Sequence, residues 1–283
     1  VPSLLRAAFG RFPELGEAPL AVARTASADI CLRWDMDRPP PPRPRLLAPD
    51  GVSVFSFAGV TPRSGAPLGH NTALALAALE AAREWGAARL FVMSSSSVYG
   101  ATDMAGAREN ARLHPAGDYG AAKVAMETAL RDAAAVPGAP PVTILRLGNV
   151  AGAGQPFDAA AAAGTRPLTP DRFPDGPGPS RSFVGPLTLA HCFARLSDLV
   201  AAEEELPPVL NVAAPRPTTM SAILSVLGVP FAWAPAPQTA LHRVHLDTRA
   251  LMRLVPDIDP QDGDAAALVR EVRAVTSEMR HDA

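Results

Sequence analysis

The chain has 283 residues, with 26 Lys and Arg against 28 Asp and Glu and a formal net charge of −2. That length suits one large domain, or one with a smaller companion, and the near-neutral balance argues against nucleic acid or an anionic membrane as partner. No apolar run is long enough for a membrane span, and the opening residues carry no signal-peptide pattern. Two cysteines, Cys31 and Cys192, form no CxxC; a reduced, cytoplasmic chain follows, with both packed as small apolar groups.

Taken in order, residues 1–12 read as the later turns of a helix, with Gly10 and Gly16 in a loop behind it. Pro19–Thr25 and Ile30–Met36 read as short buried strands, and Pro39–Arg45 as a polyproline-type connector. Val52–Pro62 is the next strand, followed by an Ala- and Leu-rich helix from His70, which Asn71 suits as a cap. RLFVMSSS (89–96) is continuously apolar up to its serines, the pattern of a strand covered on both faces. A loop over 101–118 leads into a helix beginning at Tyr119, and VTILRLGNV (142–150) is a further buried strand. Residues 151–182 are rich in Gly, Pro and Ala and open a smaller lobe. The amphipathic helix 187–200 comes next, and then PPVLNVAAP (207–215), a strand returning to the main sheet. A helix capped by Thr218 or Thr219 follows, then a helix TRALMRL capped by Asp247, and last a C-terminal helix. His242 and His245 lie three apart without a third ligand and are read as an exposed strand face, not a metal site.

The chemistry concentrates between residues 90 and 123. Both tyrosines, Tyr99 and Tyr119, lie there, as does Lys123, the one lysine beside 25 arginines. A compact ammonium has been kept where arginine is used everywhere else, and the two cations are not interchangeable. Tyr119 and Lys123, spaced i and i+4, share a helix face. A nearby cation lowers a phenol's pKa, so Tyr119 could exchange a proton with a hydroxyl or carbonyl. A serine at the preceding strand end could hold the same oxygen.

This Ser, Tyr and Lys set resembles that of short-chain dehydrogenases/reductases. SSSSVYG, Glu109, Pro115, YGAAK and ILRLGNVAGAG (144–154) narrow the resemblance to the extended branch, the NAD-dependent epimerase/dehydratase family. The resemblance implies a doubly wound, Rossmann-type parallel sheet with a smaller C-terminal substrate lobe. The dinucleotide domain would comprise residues 1–150 with 183–213 returning to it, and the lobe 151–182 and 214–283. It implies Ser95, Tyr119 and Lys123 as the catalytic residues, with Lys123 also holding the cofactor ribose and Ser96 or Ser97 lining the substrate pocket. Asp35 and Met36 match an adenine-contacting pair, Phe57, Ala58 and Gly59 a segment passing under the cofactor, and Asn71 a residue near the nicotinamide. Asn149 and Arg181 match positions that contact the phosphates or sugar of a nucleotide-sugar substrate, a task suited to arginine's fork. The family's Val-Asp-Asp is replaced by Gly185, Pro186 and Leu187, so the structural role of those carboxylates is expected to be lost.

The glycine-rich turn that seats a pyrophosphate at a helix N-terminus is not found in the sequence. Either the first strand and turn are missing from a fragment, or a natural form has lost them. Arg24, at a strand end where NAD-preferring members carry an acid, favours the 2′-phosphate of NADP if it is not simply solvent-exposed; NAD or NADP is expected. The implied activity is an NAD(P)-dependent epimerase or reductase step on a hydroxyl or carbonyl of a nucleotide sugar. Ser96 and Ser97 stand where dehydratases carry an Asp-Glu pair, which disfavours 4,6-dehydration. The other readings are a reductase of a small non-nucleotide carbonyl and a non-catalytic dinucleotide-binding regulator. The family also implies a homodimer through the helices that begin at Asn71 and Tyr119.

Overall fold

A computed structural model describes residues 1–15, 21–23, 31–45, 47, 51–174, 176 and 178–276. The chain opens with α1 (Pro2–Arg11), which includes Gly10, a residue the sequence had suggested for the following loop. Two short strands, β1 (Ala21–Ala23) and β2 (Cys31–Arg33), pair in parallel. The central sheet follows with β3 (Ser53–Ser56), β4 (Arg89–Ser95) and β5 (Val142–Leu147), separated by α2 (His70–Glu84) and α3 (Gly117–Ala134). The second half holds short strands and helices: β6 (Asn149–Val150), α4 (Phe157–Ala163), β7 (Asp171–Arg172), β8 (Ser180–Arg181) and β9 (Phe183–Val184). Then come α5 (Pro186–Ala201), β10 (Val209–Val212), β11 (Thr218–Thr219), α6 (Met220–Leu227), β12 (Ala234–Pro235), β13 (Arg243–Val244), α7 (Arg249–Leu254) and α8 (Ala265–Thr276).

The main sheet runs β10-β5-β4-β3, every pairing parallel. Sequence expectation and structure agree on the returning strand: Val209–Val212 adds to β5 at the sheet edge. Because side chains alternate along a strand, the two faces are read off by residue number. Leu90, Val92 and Ile144 pack on α2 and α3 through Ala75, Leu79, Met126 and Leu130. Phe91, Met93, Leu145 and Leu147 pack on the other face with Leu189, Phe193 and Leu196 of α5 and Leu4, Leu5 and Ala8 of α1. Helices on both faces make the doubly wound α/β arrangement and explain why β4 is apolar without alternation. A smaller core joins Phe157, Phe183, Ile223, Leu268 and Val269 beside three small sheets, β11-β8-β13, β12-β7 and β6-β9.

The packing corrects some local readings and bears out others. Asn71 is not the cap of α2, whose N-cap is Gly69; it sits inside the first turn, almost fully buried. Thr219 caps α6 by accepting from Ala222 N at 3.2 Å. Asp247 accepts from Arg249 N, the first residue of α7, at 3.0 Å. His245 is not on an exposed face: it is 3% exposed and its Nε2 lies 2.8 Å from Ser180 Oγ. His242 stacks on Phe173 at 4.3 Å. Cys192 is fully buried, and burial pushes its thiol up to about 12, in keeping with a packed apolar group; the side chain of Cys31 is outside the described residues.

The start of α5 shows what replaces the missing acids at Pro186 and Leu187. The first amides of a helix lack partners within it. Glu271, from α8, reaches across: its Oε2 accepts from Leu187 N at 2.8 Å and Thr188 N at 2.9 Å, and its Oε1 from Thr188 Oγ1 at 2.7 Å. A negative group there also complements the helix dipole. Gly185 makes the room, since any Cβ on it would run into the Glu271 carboxylate. A carboxylate therefore does stand at this helix start, supplied from another helix. Gly185→Ala should destabilise the fold by about 1–3 kcal/mol. In a Glu271→Ala background the same change should cost much less; urea unfolding of the double-mutant cycle measures the difference.

Candidate active site

The carboxyl end of β4 carries the reactive groups. The strand stops at Ser95, whose Oγ accepts from Ser97 N at 3.2 Å and from Ser97 Oγ at 3.0 Å, closing a short 3₁₀ turn over Ser96–Val98. With those two donors satisfied, the Ser95 proton is free to turn toward another acceptor. Gly120 lets the first turn of α3 come against this turn: a Cβ there would meet Ser97 O at 2.6 Å. Tyr119, beside it, is thereby placed in hydrogen-bond contact with Ser95. Ser97 thus meets Ser95 directly, whereas Ser96 is buried.

Lys123 lies one turn further along α3 and is 4% exposed. Its Nζ donates to Met93 O of β4 at 3.0 Å. The segment after β3 approaches from the other side. A Cβ on Gly59 would meet Asn71 Oδ1 at 3.0 Å and Lys123 Nζ at 3.4 Å. Asn71 holds that segment in place, its Oδ1 accepting from Val60 N at 3.1 Å and its Nδ2 donating to Val60 O at 3.0 Å and Leu68 O at 2.9 Å. Ser95 and Tyr119 are therefore in contact, and Lys123, Asn71 and Gly59 come together one turn further along α3.

The electrostatics differ from the simplest expectation for the pair. Burial raises the Tyr119 pKa above its ordinary value, and the hydrogen bond with Ser95 pulls it back. Lys123 is lowered to about 8, first by burial, with Glu127 opposing. The ammonium turned to Met93 O does not bring Tyr119 below the ordinary phenol range; the serine is the group that acts on it in that direction.

The remaining sequence-derived residues scatter. Phe57 packs edge-on against Phe193 at 5.6 Å, and Ala58 is half-buried beside it in the chain. Met36 joins the cluster of Trp34 and Trp85, while Asp35 is exposed. Asn149 lies in β6, its amide donating to Ser182 O at 2.9 Å. Arg181 is engaged with its own chain: Nη1 donates to Ser180 O at 2.8 Å and His242 O at 3.0 Å, and Nη2 to Leu241 O at 2.8 Å. Its burial lowers its pKa to about 10. Arg24 lies outside the described residues.

Beneath the reactive groups sits a polar network with no role assigned from sequence. Glu127, fully buried, accepts from Ser94 Oγ at 2.6 Å, Arg146 Nε at 3.0 Å and Arg146 Nη2 at 2.7 Å. Arg146 Nη1 donates to Tyr99 OH at 2.8 Å and Glu109 O at 2.9 Å, and Tyr99 OH donates to Asn211 Oδ1 at 2.7 Å. Glu109 Oε1 accepts from Asn211 N at 3.0 Å. One signal was available: Arg146 interrupts the apolar run VTILRL, and a charge inside a buried strand needs a partner.

Residues 48–166 match the model of the NAD dependent epimerase/dehydratase family. A UDP-glucose 4-epimerase from Azospirillum brasilense is 42% identical over 108 residues, 37% of this chain and 31% of that protein. The match thus spans about a third of that curated relative's length. Two solved structures share the fold at low identity. One is a UDP-glucose-4-epimerase from Stenotrophomonas maltophila with bound NAD and formylated UDP-arabinopyranose, at 18% identity and TM-score 0.75, covering 99% of this chain and 96% of the other. The second is MoeE5 in complex with UDP-glucuronic acid and NAD, at 20% identity and TM-score 0.70, covering 95% and 94%.

Lys123 also makes a stability prediction. Its folded pKa of about 8 lies below the ordinary 10.5, so above pH 8 the unfolded chain holds this proton more tightly. Stability should then rise with pH through that window, by up to about 3 kcal/mol from this one group. Lys123→Met should remove the rise; denaturant unfolding at about pH 7 and about pH 10 compares the two proteins.

Proposed function

We propose, from the match of residues 48–166 to the model of the NAD dependent epimerase/dehydratase family, that this chain is an NAD-dependent enzyme acting at a carbon of a nucleotide sugar that alternates between hydroxyl and carbonyl. The observation that supports the reading is the contact of Tyr119 with Ser95 at the carboxyl end of β4, with Lys123 one turn along the same helix bonded to Met93 O of that strand, at the end where open parallel sheets bind ligands.

The residues fit the nicotinamide end of a dinucleotide. The Gly59 backbone is bare of side chain next to Lys123 Nζ and Asn71, which suits close approach of a ring or ribose. Lys123 has donors left after its bond to Met93 O, enough for a ribose diol. Phe57, Ala58, Asp35 and Met36 extend the same reading toward the adenine end. Arg24, which would favour NADP, lies outside the described residues, so the proposal rests on NAD, as bound in the similar structures named above.

When bound, the nicotinamide supplies the acceptor and donor of a hydride. The chain's residues do the proton work. In the reducing direction Tyr119, whose pKa burial raises above the ordinary phenol value, donates to the alkoxide that hydride transfer to a carbonyl develops. Ser95, held by Ser97, orients the same substrate oxygen and stabilises the phenolate left after that donation, which takes the proton back from a hydroxyl whose carbon gives up hydride. Lys123, one turn along α3, supplies the positive charge of the site in this reading. Residues 151–182 and 214–283 form the substrate lobe in this reading. Asn149 and Arg181 serve it differently: Asn149 faces the sugar or phosphates, and Arg181 shapes the lobe through its carbonyl clamp on residues 241 and 242. Epimerisation is favoured over dehydration because Ser96 and Ser97 supply no acid or base. Pairing of two copies through α2 and α3, in the cytoplasm, belongs to the same proposal.

Titration with NADH should quench protein fluorescence and enhance that of the nucleotide. With catalytic NAD, UDP-glucose and UDP-galactose should interconvert; stoichiometric consumption of NADH would instead make the enzyme a reductase. Tyr119→Phe should cut turnover by about 10²–10⁴-fold with cofactor binding retained. Unchanged turnover in that variant would remove Tyr119 from the reaction.

A further inference from the structure

The one lysine of this chain is enclosed in a specific way. Lys123 Nζ meets Met93 O at 3.0 Å and Met126 Sδ at 3.6 Å, two partners that carry no charge. One turn later on α3, Glu127 receives Ser94 Oγ at 2.6 Å. Met93 and Ser94 are consecutive in β4 and lead into Ser95. Two side chains on one face of α3 therefore grip two neighbouring residues of the strand that ends in the reactive serine. Glu127 has little freedom to turn away. Arg146 holds both its oxygens, at 3.0 and 2.7 Å, with side-chain exposures of 3% for the arginine and 0% for the glutamate. A buried ammonium whose contacts among the described residues are neutral needs a counter-charge, and the i+4 position supplies one on the same helix face.

We propose that Glu127 is a positioning residue: its clamped carboxylate keeps the Lys123 ammonium charged and holds α3, with Tyr119, in register against the strand end bearing Ser95. The proposal rests on the functional reading only in taking Lys123 and Tyr119 as the working pair. Other charged or titratable groups around Glu127 and Lys123 are Tyr119 and Arg131 on α3, Arg146 on β5, and Tyr99 and Glu109 after β4. The segment after β3 and the start of α2 present Gly59 and Asn71, which are uncharged. Among these, Glu127 is the group that opposes the effect of burial on Lys123.

A single lysine makes the test direct. Protein labelled with ¹³Cε- and ¹⁵Nζ-lysine gives one side-chain signal, titrated by NMR without cofactor or substrate. The wild-type midpoint is expected near 8. In Glu127→Gln it should fall by about one pH unit. An unchanged midpoint in the folded variant overturns the proposal. Should Glu127→Gln fail to fold, Glu127→Asp keeps the charge and draws it back by one methylene. A lowered midpoint there supports the proposal, and an unchanged one overturns it. Failure of NAD to bind, or of a nucleotide sugar to react, would count against the functional reading and leave this titration standing.

Discussion

A guanidinium and a carboxylate lie between the sheet and α3, and the site is arranged around them. Arg146 and Glu127 make two charge-assisted bonds, the bidentate geometry in which such pairs are strongest. Burying both charges is costly, and removing one partner of such a pair commonly costs about 3–5 kcal/mol because the other is left uncompensated. The pair is tolerable because nearly every remaining bonding position is used: Ser94 on the carboxylate, Tyr99 and the Glu109 carbonyl on the guanidinium. Arg146 also lies over the Tyr99 ring at 5.0 Å, which adds a cation–π contact. A hydrophobic replacement could fill the space, but it would not specify which serine, which turn of helix and which loop residue come together.

That specificity follows from strand alternation. The even-numbered residues of β4 and β5 face α3. Toward the amino end they are Leu90, Val92 and Ile144, packed on the apolar part of the helix. Toward the carboxyl end they are Ser94 and Arg146, and the helix answers with Glu127 in place of another apolar residue. The same face thus changes from oil to hydrogen bonds just where ligands enter a parallel sheet. The loop after β4 is tied in through Glu109, whose backbone carbonyl accepts from Arg146 and whose carboxylate accepts from Asn211 N of β10. One network spans three adjacent strands, a helix and a loop.

Local patterns carried the fold far into the sequence. Continuous apolar runs marked β4 and β5, and helical period marked α2, α3 and α8, because these segments bury the same faces whatever surrounds them. The spacing of Tyr119 and Lys123 was legible for the same reason, since it depends on one helix. What could not be read were the contacts made between distant elements. Glu271 caps α5 from 84 residues away, so the absence of acids at Pro186 and Leu187 looked like the loss of a structural role at that helix start. His245 looked like part of an exposed pair until β13 was placed beside β8, which buries it against Ser180. Arg181 looked like a free fork, and its donors turn out to be shared among carbonyls that only the tertiary fold brings within reach.

Lys123 joins the local and the long-range parts of this account. Across 25 other positions the chain uses arginine for its side-chain cations, yet α3 keeps an ammonium where the available space is bounded by Met93 O, Met126 Sδ and the backbone at Gly59. A planar guanidinium would have to place five donors there, where the partners met among the described residues are a carbonyl oxygen and a thioether. An ammonium needs less room, keeps donors free for a ligand, and can be tuned across neutral pH by burial on one side and a carboxylate on the other. Compositional drift toward arginine therefore stops at the site where the ion's size and titration range both matter, and Glu127 is what makes that lysine tolerable in its charged form.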